Sequence, residues 1–233
     1  MLIASMDNTH YSMDTKIRKV LSRLEEQSNR ERLEETDILQ EDRILAITSD
    51  TGMFFKIILR AMLAKRILEV GTSVGYSTLW FADAIIENYD MISTRIKEKP
   101  IITIDMNHSK VERANKNFGD AGVKDIIEII EGDAKSVLFQ LSKNYQNDNR
   151  IKKLNDLFDF VFFDADKENL EIYFDLVLPM VRVGGIIATD NMLYPEDYQL
   201  RMAKYANYIK SKSNVQSVMI PIGNGEEITI KLA

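Results

Sequence analysis

The chain contains no cysteine, which excludes disulfides, a thiolate nucleophile and any thiolate-held metal. That absence fits a reducing compartment. Long apolar runs are missing as well, and none approaches the roughly 20 residues a membrane helix needs. The start, Met1 to Met13, is apolar only briefly before Asp7, Asn8 and His10, too short for a signal peptide. The cytoplasm is therefore the expected location, with no membrane partner. Histidine is scarce: the two present, His10 and His108, are isolated and read as surface residues rather than ligands. There is no internal repeat, and no Pro/Gly-rich linker divides the chain.

What is present is the balance of a globular protein. Hydrophobic residues make up 45% and charged residues 28% of 233 positions, enough for one domain with a sizeable core and a short appendage. The net charge of −6 favours solubility and argues against a general nucleic-acid binder, without excluding a local basic face.

Residues 14–33 read as an amphipathic helix, with Ile17, Val20, Leu21 and Leu24 at helical spacing. The mixed-charge run Arg30 to Glu35 follows it as a solvated face or linker. We place a helical extension at 1–37 and the main domain at 38–233. From residue 51 a helix rich in Phe54, Phe55, Ile57, Ile58 and Leu59 leads to the short strand pattern Arg66–Val70. Further strand-like runs follow at Ile101–Ile104, Ile126–Ile130, Phe158–Phe163 and Gly185–Ala188. Helical patterns separate them at Ser77–Ile86, Ser109–Phe118, Ala134–Leu141 and Asn169–Val181. This alternation implies a mostly parallel sheet covered by helices on both faces, an α/β Rossmann-like class. Two runs at the end, Val215–Ile222 and Glu226–Leu232, flank Gly223-Asn224-Gly225 and predict an antiparallel hairpin. The polar stretches Asn88–Lys99 and Ser142–Asn155 read as surface insertions.

Chemistry-bearing residues gather at the predicted strand ends. The first strand runs into Glu69-Val-Gly71-Thr72-Ser-Val-Gly75-Tyr-Ser77, whose glycines let the backbone approach a ligand at the next helix N-terminus. The spacing G-x-x-x-G leans away from the G-x-G-x-x-G of dinucleotide sites. The second strand ends in Asp105, suited to accept from ribose hydroxyls; Asn107 and Ser109 can cap the helix that follows. The third ends in Glu131-Gly-Asp133-Ala134, either an adenine edge or an ordinary helix cap. The fourth gives Phe163-Asp164-Ala165-Asp166-Lys167, and the fifth Thr189-Asp190-Asn191. Asp164, Asp190 and Asn191 are hard oxygen ligands suited to Mg²⁺ or a similar ion, or else turn and cap residues.

In this order and spacing the motifs resemble the cation-dependent O-methyltransferases of the caffeoyl-CoA and catechol type. The likeness runs from about Thr48 to Leu232. It rests on L-E-V-G-T-S-V-G-Y-S, F-D-A-D-K, G-G-x-x-x-x-D-N and the terminal P-I-G-N-G. The resemblance implies a seven-stranded sheet with the last strand antiparallel, and transfer of a methyl group from S-adenosylmethionine to a hydroxyl oxygen of a small, catechol-like acceptor. It implies cofactor contacts at Ile47, Glu69, Gly71, Thr72, Ser77, Asp105, Asp133, Ala134, Asp164 and Asp166. It also implies a divalent cation (Mg²⁺, or Mn²⁺ or Ca²⁺) on Asp164, Asp190 and Asn191, with Lys167 as base beside Asp164. A homodimer is the expected assembly. A lysine acting as base must fall well below its usual pKa of about 10.4; the cation role carries no such requirement.

Relatives acting on caffeoyl-CoA carry a longer insertion after the D-N pair than Met192–Tyr198 here, so the acceptor is open; Tyr194 and Tyr198 are candidates to stack on it or to pack. The G-T-S-V-G-Y-S loop also resembles bacterial enzymes that methylate 5-hydroxyuridine in tRNA. Such a reading needs a basic face, with Lys152, Lys153, Arg201, Lys204, Lys210 and Lys212 as candidates. A non-catalytic cofactor-binding protein and a nicotinamide-dependent oxidoreductase are the remaining alternatives.

Overall fold

The central strands are buried on both faces, β1 completely and β4 nearly so, and helices cover the sheet on each side. The computed structural model describes residues 15–33, 43–44, 46–96, 98–147 and 157–233. Along the chain lie α1 (Thr15–Arg32), α2 (Ser49–Ala61), β1 (Ile67–Val70), α3 (Tyr76–Met91), β2 (Ile101–Asp105), α4 (His108–Ala121), β3 (Ile127–Glu131), α5 (Ala134–Asn147), β4 (Phe158–Phe163), α6 (Leu170–Val177), β5 (Val181–Thr189), α7 (Gln199–Lys210), β6 (Val215–Ile220) and β7 (Glu226–Lys231). The seven strands are ordered β3-β2-β1-β4-β5-β7-β6. The first five are mutually parallel; β7 runs antiparallel to β5 and to β6. The predicted hairpin and sheet class are both present.

Alternate residues of the strands supply two cores. Ile67, Phe160, Phe162 and Ala188 join Phe55, Leu79 and Phe81 of α2 and α3, together with Ile17, Val20, Leu21 and Leu24 of α1. Leu68, Val70, Val161 and Phe163 face α5, α6 and α7 on the other side. Phe55, Phe81, Phe160 and Phe162 form an edge-to-face cluster, Phe55 lying 5.1 Å from Phe162 and Phe81 5.5 Å from Phe160. Each such ring contributes about 1.5–3 kcal/mol by burial alone, so the strands beneath the site are firmly held.

Three boundaries differ from the sequence pattern. Asn88 does not open a surface insertion: it is buried inside α3, and its amide donates to the carbonyls of Leu59 (3.0 Å) and Ala64 (2.9 Å). A polar residue can occupy a core when its partners are built in. Likewise α5 continues past Leu141 through buried Ser142 to Asn147. The helix expected over Asn169–Val181 ends at Val177, a 3₁₀ turn containing Pro179 follows, and β5 begins at Val181 rather than Gly185. His10, Lys152 and Lys153 lie outside the described residues. Among the described residues no helix is long and apolar enough to cross a membrane.

Candidate functional site

The registers place one row of residues just beyond the parallel strands. Val70 pairs with Ile104 on one side and Phe163 on the other, and Phe163 pairs with Thr189. One step further along each strand stand Asp105, Gly71, Asp164 and Asp190. This is the carboxyl edge of the sheet, at the point between β1 and β4 where the strand order reverses, the position where open α/β sheets bind ligands. Adjacent strands lie about 4.8 Å apart, so Asp105 and Asp164 flank the Gly71 opening at roughly 10 Å.

Gly71 makes that opening possible. Its φ is +107°, and a Cβ there would sit 2.0 Å from the carbonyl oxygen of Asp164. The loop then turns through Ser73 and Gly75, both with positive φ, into α3. No side chain caps α3, which leaves first-turn N–H groups without a side-chain acceptor. A narrow crevice here is lined by Ile47, Gly71, Thr72, Ser77 and Asp164, five of the residues expected to contact the cofactor, together with Ile44, Ala46, Ser73, Val74 and Tyr76, which were not foreseen. Ile44, Ala46 and Ile47 belong to no motif, and only their position across the fold brings them to the loop.

The remaining expected cofactor residues have visible tasks. Asp105 accepts from the backbone N–H of Ser73 (2.6 Å) and of Asn107 (2.9 Å), tying the β1 loop to the tip of β2. Asn107 caps α4 through Lys110 N–H (3.1 Å), which leaves Asp105 free of that duty, as its spacing implied. Asp133 caps α5, accepting from Ser136 N–H (2.9 Å) and Oγ (2.7 Å), with Ala134 the first residue of that helix. Asp166 accepts from the Asn169 amide (2.8 Å) and the Tyr173 hydroxyl. Thr72 Oγ1 is within 2.6 Å of Thr103 Oγ1.

Glu69 lies fully buried beneath the loop, accepting from Ser77 and Thr78 (2.5 Å each) and Thr103 (2.6 Å). Burial outweighs these donors and pushes its carboxyl from 4.5 up to about 7. The folded chain therefore holds a proton that the unfolded chain has already released. Stability should fall as pH rises between about 4.5 and 7, by about 3 kcal/mol for this group. Glu69→Gln, which does not ionise, is expected to flatten that part of the profile. Urea midpoints between about pH 5 and 8 check this, and an unchanged slope in the variant would contradict it.

On the other side of Gly71, three oxygen-bearing side chains converge. The Asn191 amide donates to Asp164 Oδ1 (2.7 Å) and Asp190 Oδ2 (3.1 Å), and Asn191 N–H donates to Asp190 Oδ1 (2.6 Å). Asn191 takes φ +65°, which aims its side chain back over the strand ends. Asn224 of the hairpin loop supports it, donating to Asn191 Oδ1 at 3.0 Å. Lys167 Nζ lies 3.7 Å from Asp164 Oδ1 and 3.5 Å from the Asp190 carbonyl oxygen. Burial raises Asp164, against the pull of Lys167. Burial and then the charge of Asp164 push Asp190 up to about 7. A divalent cation between the two carboxyls would relieve both penalties, and carboxylate and amide oxygens are the donors that hard cations take. The set fits such an ion, with the Asn191 amide turned to present Oδ1. Among the described residues no group of three or more His, Asp or Glu side chains is placed to hold a metal, so the set is an open one of two carboxylates and an amide.

Tyr194 is exposed in the loop after β5, beside exposed Leu193 and half-exposed Tyr198. A cleft of about 390 Å³ adjoins Lys167 and is bordered by Leu170, Leu200, Arg201 and Lys204. Of the basic residues a tRNA reading needs, Arg201 lies 3.9 Å from Glu168, Lys210 3.5 Å from Glu227 and Lys212 2.7 Å from Asp175, so much of that charge is already matched.

A mostly parallel sheet with a crevice at its reversal point and an oxygen-lined pocket beside it has the layout of a ligand-binding α/β protein. The family model described as O-methyltransferase matches residues 21–232. Caffeoyl-CoA O-methyltransferase 5 of Nicotiana tabacum is 30% identical over 199 residues, covering 78% of this chain and 75% of that protein. The caffeoyl-CoA O-methyltransferase of Medicago sativa is also 30% identical, covering 78% and 73%. The Bacillus cereus O-methyltransferase solved in complex with SAH superposes with a TM-score of 0.70 at 21% identity, over 91% of this chain and 90% of that one. TomG of Streptomyces achromogenes, solved with SAM, gives 0.70 at 24% identity over 100% and 93%. The chain belongs to the O-methyltransferase family.

Proposed function

We propose that this protein transfers a methyl group from S-adenosylmethionine to a hydroxyl of a small aromatic acceptor, with a divalent cation held by Asp164, Asp190 and Asn191. The observation that carries this is the pairing of a glycine-gated crevice with the part-buried Asp164 and buried Asp190 on the next two strands, in a chain of the O-methyltransferase family. The relatives' cofactors, SAH and SAM, and their caffeoyl-CoA acceptor supply the chemical class. When bound, the cation would lower the pKa of the acceptor hydroxyl and fix its orientation.

The chain's own residues then have separate tasks. Gly71 admits the sulfonium end of the cofactor close to the backbone, and Asp105, one strand away on β2, takes the ribose side. Glu69 holds the loop through three hydroxyls from beneath. The sulfonium methyl is already activated, so the main requirement is alignment of acceptor oxygen, methyl and sulfur. As the O–C bond forms and the C–S bond breaks, the hydroxyl proton must leave; Lys167 Nζ, beside Asp164, is the group to receive it once its own proton is lost. Tyr194 and Tyr198 offer aromatic faces to the acceptor.

The test is a methyl-transfer screen of catechols, acyl-CoA phenols and hypomodified tRNA, each with and without Mg²⁺. Mg²⁺-dependent methylation of an aromatic hydroxyl is expected; methylation of tRNA alone would overturn the acceptor class. Asp105→Ala is expected to weaken SAH binding about 10-fold to 100-fold, the value of one or two charged hydrogen bonds. Cation binding should change little. Calorimetry with each ligand checks it, and equal losses for both would contradict it.

A further inference from the structure

The row of strand ends continues one strand beyond the proposed cation site. In the antiparallel pairing of β5 with β7, Thr189 faces Glu227, and Met192 N–H donates to the Gly225 carbonyl oxygen at 3.0 Å. Between these two fixed points Asp190 stands opposite Glu226. Directly opposed residues of an antiparallel pair project to the same face, with Cβ atoms about 4.5–5.5 Å apart. Glu226 therefore looks toward Asp190 and, beyond it, Asp164.

Glu226 is completely buried. No N–H or hydroxyl donor reaches either of its carboxyl oxygens. Its polar surroundings are the carboxyls of Asp190 and Asp164 and the ammonium of Lys167. A buried carboxyl whose neighbours are two more acids is costly for the fold, and an apolar residue of the same size would be more stable there. Its cost is offset when a cation occupies the same pocket. Among the described residues no three acid side chains are grouped to share one ion.

Resting on the cation site proposed above, we infer that Glu226, standing behind Asp190, acts through that ligand by adding negative charge to the pocket, and so raises the affinity of the site for a divalent cation. Partners of metal ligands commonly change affinity about 10-fold to 100-fold when removed. Asn224, two residues earlier, holds Asn191 from the same hairpin loop, so the β6–β7 turn supports both the amide and the carboxylate sides of the site.

The experiment measures Mn²⁺ binding to the full chain by electron paramagnetic resonance, without cofactor or acceptor, for the wild type, Asp190→Asn, Glu226→Gln and Glu226→Leu. Thermal melting and SAH affinity are measured on the same samples. The expected result is a wild-type site lost in Asp190→Asn and weakened at least about 10-fold in both Glu226 variants. SAH affinity should be unchanged, and the melting temperature of Glu226→Leu unchanged or raised. A purely structural Glu226 would give the opposite pairing, a lowered melting temperature with unaltered Mn²⁺ affinity, and that result overturns the inference. Wild-type affinity in both Glu226 variants, with binding lost in Asp190→Asn, overturns this inference and leaves the cation site standing. Equal binding by wild type and Asp190→Asn, or none by the wild type, overturns both.

Discussion

Asp190→Ala is expected to lower methyl transfer by more than about 100-fold, since changes merely adjacent to metal ligands already cost about 10-fold to 100-fold. Asp190 is nearly fully buried, and its carboxyl is bonded by Asn191 through both backbone and amide. Its removal leaves Asn191 without one acceptor and Asp164 as the one remaining carboxylate among the three proposed cation ligands. The fold should survive, because burial and the neighbouring acid hold Asp190 at a penalty, raised to about 7 in the folded chain. Loss of activity with an unchanged melting temperature is therefore the signature. Excess EDTA should inhibit the wild type to a similar degree and leave the residual rate of the variant unaltered. An Asp190→Ala enzyme with more than about a tenth of wild-type activity would remove the cation from the chemistry.

Gly71→Ala should do the reverse and strike stability and cofactor binding together. The added Cβ would lie 2.0 Å from the Asp164 carbonyl oxygen, a backbone atom that cannot swing aside, at a φ of +107° that alanine rarely adopts. Strain of this kind costs about 1–3 kcal/mol before any clash, and overpacking adds about 1–3 more. The urea midpoint should drop accordingly. SAH binding should be lost because β1 and β4 are forced apart at the crevice. A variant with wild-type midpoint and SAH affinity would mean that the loop relaxes and that the close approach is dispensable.

The strand tips were readable because buried parallel strands are short apolar runs, and a polar residue that ends such a run lies at the sheet edge. Asp105, Asp164 and Asp190 each follow an apolar stretch, and the structure sets all three in one row with Gly71. The hairpin was equally plain from Gly223-Asn224-Gly225 between two strand-like runs. Less legible was anything whose environment comes from distant chain. Asn88 looks like the start of a polar loop until α2 and the turn that follows it each deliver a carbonyl to it. Ile44 and Ala46 have no local signature for lining a crevice. Glu226 did carry a signal, since it opens a run of strand residues otherwise apolar or small on its face. Its meaning depends on lying opposite Asp190, a fact of register. Asp133 and Asp166 illustrate the other limit, because a helix cap and a ligand contact ask for the same residue types at the same place.

The most direct measurement is an anomalous difference map from crystals grown with SAH and MnCl₂. The account predicts a manganese peak among Asp164, Asp190 and Asn191, with the SAH sulfur seated over Gly71 one strand away. A map with manganese elsewhere, or with SAH bound away from that glycine, would contradict it.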